Sequence, residues 1–146
     1  GIYSTAWGSG SLASGSKATA WGGGSTASGL YSTAWGGSVA SGTSSTAGGE
    51  QCLSSGAGSV SFGRLAKARA DDAISIGYDV NNVTANSFAV GYNGIDLKIS
   101  QNAINIYDCN INTNGQVGIT ADVNVVTDGN VIITLHFVKG IYVGRD

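Results

Sequence analysis

The sequence has no proline and no methionine, one histidine, two cysteines and few charges, and each shortage closes off a class of protein. Charged residues are 11% of the chain and the net charge is −2, so no basic patch is dense enough to neutralise nucleic-acid phosphates. Disordered chains are charged, polar and proline-rich, whereas this one is 42% hydrophobic and proline-free. No apolar run approaches the roughly 20 residues of a membrane-spanning helix, and no basic-plus-apolar signal segment opens the chain. Membrane insertion is therefore not expected. The chain begins at Gly1, already inside a repeat, and reads as a fragment or processed product whose targeting signal lies elsewhere. Cys52 and Cys109 are too few for a disulfide scaffold and form no C-x-x-C pair for zinc or redox work. Free thiols are the favoured reading; a bridge, within or between chains, is the alternative.

What is present is periodic. Glycines recur at Gly8, Gly15, Gly22, Gly29, Gly36, Gly42, Gly49, Gly56 and Gly63, then at Gly77 and Gly91, seven residues apart except for one interval of six and two final ones of fourteen. The deeper unit is a 14-residue repeat of two similar halves. Ahead of the glycines of one half stand three columns. They are Thr5, Thr19, Thr33, Thr46, Val60, Ile74 and Phe88; then Ala6, Ala20, Ala34, Ala47, Ser61, Ser75 and Ala89; then Trp7, Trp21, Trp35, Gly48, Phe62, Ile76 and Val90. This is the period-2 alternation of strands, and glycine at every seventh residue excludes helices. Short strands, each closed by a glycine free to take positive φ, describe a β-solenoid whose coils stack about 4.8 Å apart. The other half carries Ser14, Ser28, Ser41 and Ser55 where the first has Trp, which predicts large packed opposite small in a narrow coil.

"NSFAVG" (Asn86 to Gly91), "DAISIG" (Asp72 to Gly77) and the "STASG" and "SVASG" halves resemble the YadA-like head repeat of trimeric autotransporter adhesins, which has counterparts in bacteriophage fibre proteins. The resemblance covers residues 1 to 91. It implies a left-handed parallel β-roll, three of which pack side by side in an elongated homotrimer. It also implies that the apolar motif residues Val60, Phe62, Ile74, Ile76, Phe88 and Val90 fill the core. Thr and Trp replace aliphatics in the first three coils, and no neck motif, heptad stalk or anchor barrel follows. A virion fibre is therefore favoured over a bacterial cell-surface adhesin, both being extracellular.

After Tyr92 the glycine rhythm stops and Val, Ile, Asn and Asp increase. Alternation in Ile95, Leu97 and Ile99, in Ile104 and Ile106, and from Val117 to Val125 predicts strands, with turns at "TNG" and "TDGN". A final pair of strands is expected around Lys139-Gly140; this hairpin resembles those ending some phage structural proteins. Residues 1–92 are thus read as a β-roll domain and 93–146 as a small C-terminal β-domain, stabilised by trimerisation. The whole is all-β and homotrimeric.

Catalytic chemistry finds little support. His136 alternates with Ile132 and Thr134 in a strand pattern, which favours an ordinary strand residue over a general base. No nucleophile elbow or His-metal pair is present, and "GGG" at Gly22 to Gly24 lacks the Lys of a phosphate loop. Asp71, Asp72 and Asp79 could hold a cation or act as paired glycosidase carboxylates, but Arg64, Lys67 and Arg69 point to surface charge pairing instead. "RLAKARADD" is expected to form a protruding loop or charged rim. No enzyme, cofactor or metal is predicted.

Trp7, Trp21 and Trp35 are the candidate ligand-binding residues. Pointing inward they form a stacked core ladder, the reading favoured by the slot they share with Phe62, Ile76 and Val90. Pointing outward they form an apolar strip suited to sugar rings or a partner surface; inter-chain packing is the third option. The function expected is a non-enzymatic trimeric fibre module mediating attachment, with a cell-surface glycan or protein receptor and other fibre or virion proteins as partners. A purely structural spacer, an ice-binding solenoid (from the Thr5, Thr19, Thr33 file) and a tailspike-type hydrolase are the alternatives.

Overall fold

The computed structural model describes residues 1–101 and 103–105 and, as backbone, residue 106 and strands 112–113, 116–117, 121–126, 132–138 and 141–145. Every regular element among the described residues is a strand. Two compact units divide the chain, Gly1–Tyr107 and Asp108–Asp146.

In the first unit each repeat supplies one strand to each of two sheets. The longer sheet takes β1 (Thr5–Trp7), β3 (Thr19–Trp21), β5 (Thr33–Trp35), β7 (Thr46–Glu50), β9 (Val60–Arg64), β11 (Ala73–Tyr78) and β13 (Ser87–Tyr92), all parallel. The facing sheet takes the intervening short strands β2 (Leu12–Ala13), β4 (Thr26–Ala27), β6 (Val39–Ala40), β8 (Leu53–Ser54), β10 (Lys67–Ala68) and β12 (Asn81–Asn82). Register follows the repeat: Trp7 pairs with Trp21, Trp21 with Trp35, Ser75 with Ala89. The single six-residue interval is absorbed in the turn at residues 36–38, and Thr26 still pairs with Val39. This is the parallel β-solenoid the period predicts.

Inside, the two sheets meet through small side chains. Ala20, Ala34, Ala47, Ser61, Ser75 and Ala89 of one face Ala13, Ala27, Ala40, Ser54 and Ala68 of the other, and all are buried. Across the interior the Ser54 and Ser61 hydroxyls lie 2.7 Å apart. Large side chains have no room between sheets this close. The expectation that Val60, Phe62, Ile74, Ile76, Phe88 and Val90 fill the core therefore needs correcting for the single roll: strand alternation turns them outward, and each is only half-buried. Ser14, Ser28, Ser41 and Ser55 are also outward and exposed; large opposite small is not a packing relation here.

Glycine has two jobs at the corners. Gly49, Gly63 and Gly77 take positive φ, as expected. Gly42 does not; there the next coil passes so close that a Cβ would stand 2.0 Å from the Gly56 carbonyl oxygen.

Asn82 ends the small-residue columns. Fully buried, it donates from Nδ2 to the Ile74 and Ser87 carbonyls at 3.0 and 3.3 Å. Its Oδ1 accepts from the Thr84 amide and the Ser87 hydroxyl. Parallel stacking stops at Tyr92, where the composition changes, but the sheet continues. Antiparallel strands β14 (Leu97–Ser100) and β15 (Ala103–Ile106) add to its edge, Phe88 pairing with Ile99 and Ile99 with Ile104.

The second unit holds a short antiparallel pair, β16 (Asn112–Thr113) with β17 (Gln116–Val117). It also holds an antiparallel meander of β18 (Ala121–Val126), β19 (Ile132–Val138) and β20 (Ile141–Arg145). His136 lies in β19, paired in register with Asp122. Cys109, "TDGN" and Lys139-Gly140 lie outside the described residues.

Candidate functional site

Alternation that turns the small residues inward turns two columns outward on the longer sheet. One runs Thr5, Thr19, Thr33, Thr46, Val60, Ile74, Phe88 and continues by cross-strand pairing to Ile99 and Ile104; the other runs from Trp7 to Val90 and continues to Leu97. Together they form one two-column face. Its first three coils are Thr and Trp and its later part is aliphatic and Phe. Exposure along it is substantial, reaching 69% at Ile104.

Trp7, Trp21 and Trp35 stand on this face, outside the small-residue interior. The core-ladder reading does not describe the single roll. Their rings do form a ladder: centroids are 5.3 Å apart for Trp7 and Trp21 and 5.0 Å for Trp21 and Trp35, with planes 9° and 7° from parallel. Such a stack turns much of each ring toward its neighbour. Trp7 is 54% exposed, whereas Trp21 and Trp35 are half-buried. The column does not break at Gly48. A Cβ there would lie 2.2 Å from the Trp35 ring, so the missing side chain is the space the indole uses, and Trp35 goes on to meet Phe62 at 5.4 Å. The Thr file that raised the ice-binding alternative shares this face with the indoles.

Beside the apolar columns runs a polar border. Arg64 Nε lies 3.3 Å from Glu50 Oε2, and the Arg64 guanidinium sits 5.4 Å from the Tyr78 ring centroid, which in turn meets Tyr92 at 5.2 Å. On the other sheet Lys67 Nζ lies 3.8 Å from Asp79 Oδ1, and Asp71 Oδ1 accepts a 2.8 Å hydrogen bond from the Ala57 amide. Of the acidic trio, Asp79 is thus engaged in charge pairing and Asp71 in turn bonding. "RLAKARADD" forms a charged rim but not a protruding loop: Ala66 and Ala68 are buried, and Lys67 pairs in register with Leu53 and Asn81.

Cys52 is a free thiol, 1% exposed, in the column of Ser25, Ser38, Ala66 and Val80. Its Sγ lies 3.2 Å from the Gly63 carbonyl, to which the thiol donates. Burial pushes its pKa up, against the opposing influence of the Ala66 backbone and the Ser38 side chain. A thiol so placed is an interior filler, not a nucleophile.

Two features escaped the sequence reading. Leu97, Ile99 and Ile104 extend the outer face, although their alternation was visible, because the loss of the glycine rhythm hid the continuity of the sheet. Tyr3, Lys17 and Tyr31 occupy the same turn position in successive coils, all at positive φ; their 14-residue spacing was the available signal.

No curated protein matches the chain. The YadA head domain repeat matches it in two copies, at residues 13–37 and 54–79. Each copy spans corner glycines and buried small-residue positions of the solenoid, one in the Trp coils and one in the aliphatic coils. With period, register and inward columns all in agreement, the solenoid is a YadA-like head β-roll.

Proposed function

We propose that the chain is a non-enzymatic module of an extracellular homotrimeric fibre, of adhesin type, that mediates attachment to a surface. The outer two-column face carries this reading. Val60, Phe62, Ile74, Ile76, Phe88 and Val90 are each half-buried in one roll and lie side by side on one sheet. Completing their burial is worth roughly 1 kcal/mol per side chain, about 6 kcal/mol per roll when six act together, enough to hold three rolls face to face about an axis. Because β14 and β15 continue the sheet of the roll, the C-terminal β-domain of the same trimer begins at Asp108 and not at residue 93. A virion fibre is favoured over a cell-surface adhesin because Thr and Trp replace the aliphatics of the adhesin-type motif in the first coils.

Light scattering on the purified chain at micromolar concentration tests the assembly. A mass three times that of the chain is expected, and a monodisperse monomer overturns the trimer. Binding to host-cell or glycan surfaces tests attachment; an intact trimer that binds none would be a spacer.

A further inference from the structure

Lys17 is the only charged side chain among residues 1–49, and the first carboxylate in the sequence is Glu50. Arg64 and Lys67 of the later coils lie against Glu50 and Asp79, whereas Lys17 is paired with no carboxylate among the described residues. It sits on the turn edge of the roll between two tyrosines of the same column. Backbone bonds from the Lys17 amide to the Ile2 carbonyl, 2.8 Å, and from the Tyr31 amide to the Ser16 carbonyl, 3.0 Å, hold the three coils in register. Tyr3 and Tyr31 therefore lie two coil spacings apart, about 10 Å, with Lys17 midway. Lys17 Nζ donates to the Tyr31 hydroxyl at 3.1 Å and stands 4.9 Å from the ring centroid. Both tyrosines are open to solvent, at 84% and 50% exposure.

The backbone makes this arrangement unexpected. Tyr3, Lys17 and Tyr31 have φ of 58°, 56° and 58°, a left-handed conformation that bulky residues rarely adopt. In later coils the same position holds Ser44, Gly58, Asp72 and Asn86, of which Gly, Asp and Asn suit that conformation. The early coils thus carry large aromatic and cationic side chains where the fold favours small ones. Gln51 and Leu65 also take left-handed φ at another turn of the roll, so what sets this column apart is an ammonium without a carboxylate partner held between two exposed phenols.

We propose that the turn edge formed by Tyr3, Lys17 and Tyr31 binds a carboxylate-bearing saccharide. The ammonium pairs with the carboxylate in a region that offers it no internal carboxylate. The two phenol rings supply apolar faces for pyranose rings and hydroxyls for their polar rims. The site rests on the attachment reading above and gives it a ligand class, but places recognition on the turn edge and not on the Trp column.

The test measures binding of the full chain to surfaces bearing a sialyllactose polymer, polygalacturonate, a neutral lactose polymer and heparin. Two variants, Lys17→Asn and Tyr31→Asn, copy what the roll itself uses at Asn86, so they are expected to fold; melting temperature and light-scattering mass check this. Binding to the sialyllactose polymer or to polygalacturonate but not to lactose is expected, weakening as salt rises, with heparin, whose charge is dominated by sulfate, as the control for non-specific anion binding. Lys17→Asn and Tyr31→Asn should lower that affinity at least tenfold, with Lys17→Arg retaining it. Binding by sialyllactose alone identifies a terminal acidic sugar, and by polygalacturonate a uronate chain. No binding to either, equal binding to lactose, binding to heparin alone, or undiminished binding by Lys17→Asn overturns the site. The parent chain's mass is read separately: a monomer overturns the trimeric fibre and leaves the saccharide result to be judged on its own.

Discussion

The first three coils and the last three share a backbone and differ in almost everything they show to the outside. Thr19-Ala20-Trp21 and Ile74-Ser75-Ile76 occupy equivalent strands, with Ala20 and Ser75 both buried. On the outer face, however, stacked indoles beside hydroxyls give way to packed aliphatics and Phe. The charges differ too: one lysine in residues 1–49, against ion pairs and a charged rim from Glu50 to Asp79. The fold is thus specified by what faces inward and by the corners. The outer columns are where the two regions differ.

This separation can be broken most severely at a corner. Gly42→Ala places a methyl against the backbone of the next coil, 2.0 Å from an oxygen. A loss on the order of 3 kcal/mol or more is expected in chemical denaturation, whatever stands on the outer face. Next in size is Ile76→Asp, which leaves the interior untouched. Light scattering should report a monomer, while far-UV circular dichroism keeps the β signal of the roll. In the first region Trp21→Ala removes two ring stacks and should lower the unfolding free energy by about 2 kcal/mol. The near-UV signal of coupled indoles should collapse, and the trimer should persist; its loss would assign assembly to the indoles as well.

Cys52 provides a smaller, pH-dependent test of the interior between the two regions. Burial raises its pKa above the ordinary 9.0, so the neutral thiol is the form the fold favours. The associated stability is fully present below the ordinary value and is lost as pH rises through the raised one. Cys52→Ser, matching Ser25 and Ser38 of the same column, should flatten that alkaline decline in thermal melts. Smallest of all, Lys17→Asn should raise stability by about 0.5 kcal/mol through relief of its left-handed backbone.

The repeat carried much of the fold in plain view, because one coil must land on the next and the residues that allow this recur at fixed intervals. Strand positions, the shared slot of Trp7, Trp21 and Trp35 with Phe62, and the family resemblance followed from it. Which way a column points was harder. Period-2 alternation puts Trp21 and Ala20 on opposite sides but does not say which side is inside. Habit places the large apolar residue within, whereas the tight corner at Gly42 and the Ala/Ser columns show a slot too narrow for it. Tyr3, Lys17 and Tyr31 carry no signal beyond their 14-residue spacing, because glycine and not a bulky side chain is the usual mark of a left-handed turn. The continuation through Leu97 and Ile99 was obscured because composition changes where strand direction reverses, not where the sheet ends.

A stack of parallel coils has no internal reason to stop, since every coil leaves the next a row of unpaired amides and carbonyls. Asn82 and the reversal of direction at β14 supply that reason. One buries a full set of hydrogen bonds where another alanine would have invited a further coil, and the other turns the sheet edge back on itself. The consequence is metrological: the distance between a surface patch such as Lys17 and the end of the roll is a fixed count of rungs, set by sequence. Inserting or deleting one 14-residue unit between them would move that patch by one rung, about 4.8 Å, without altering either end.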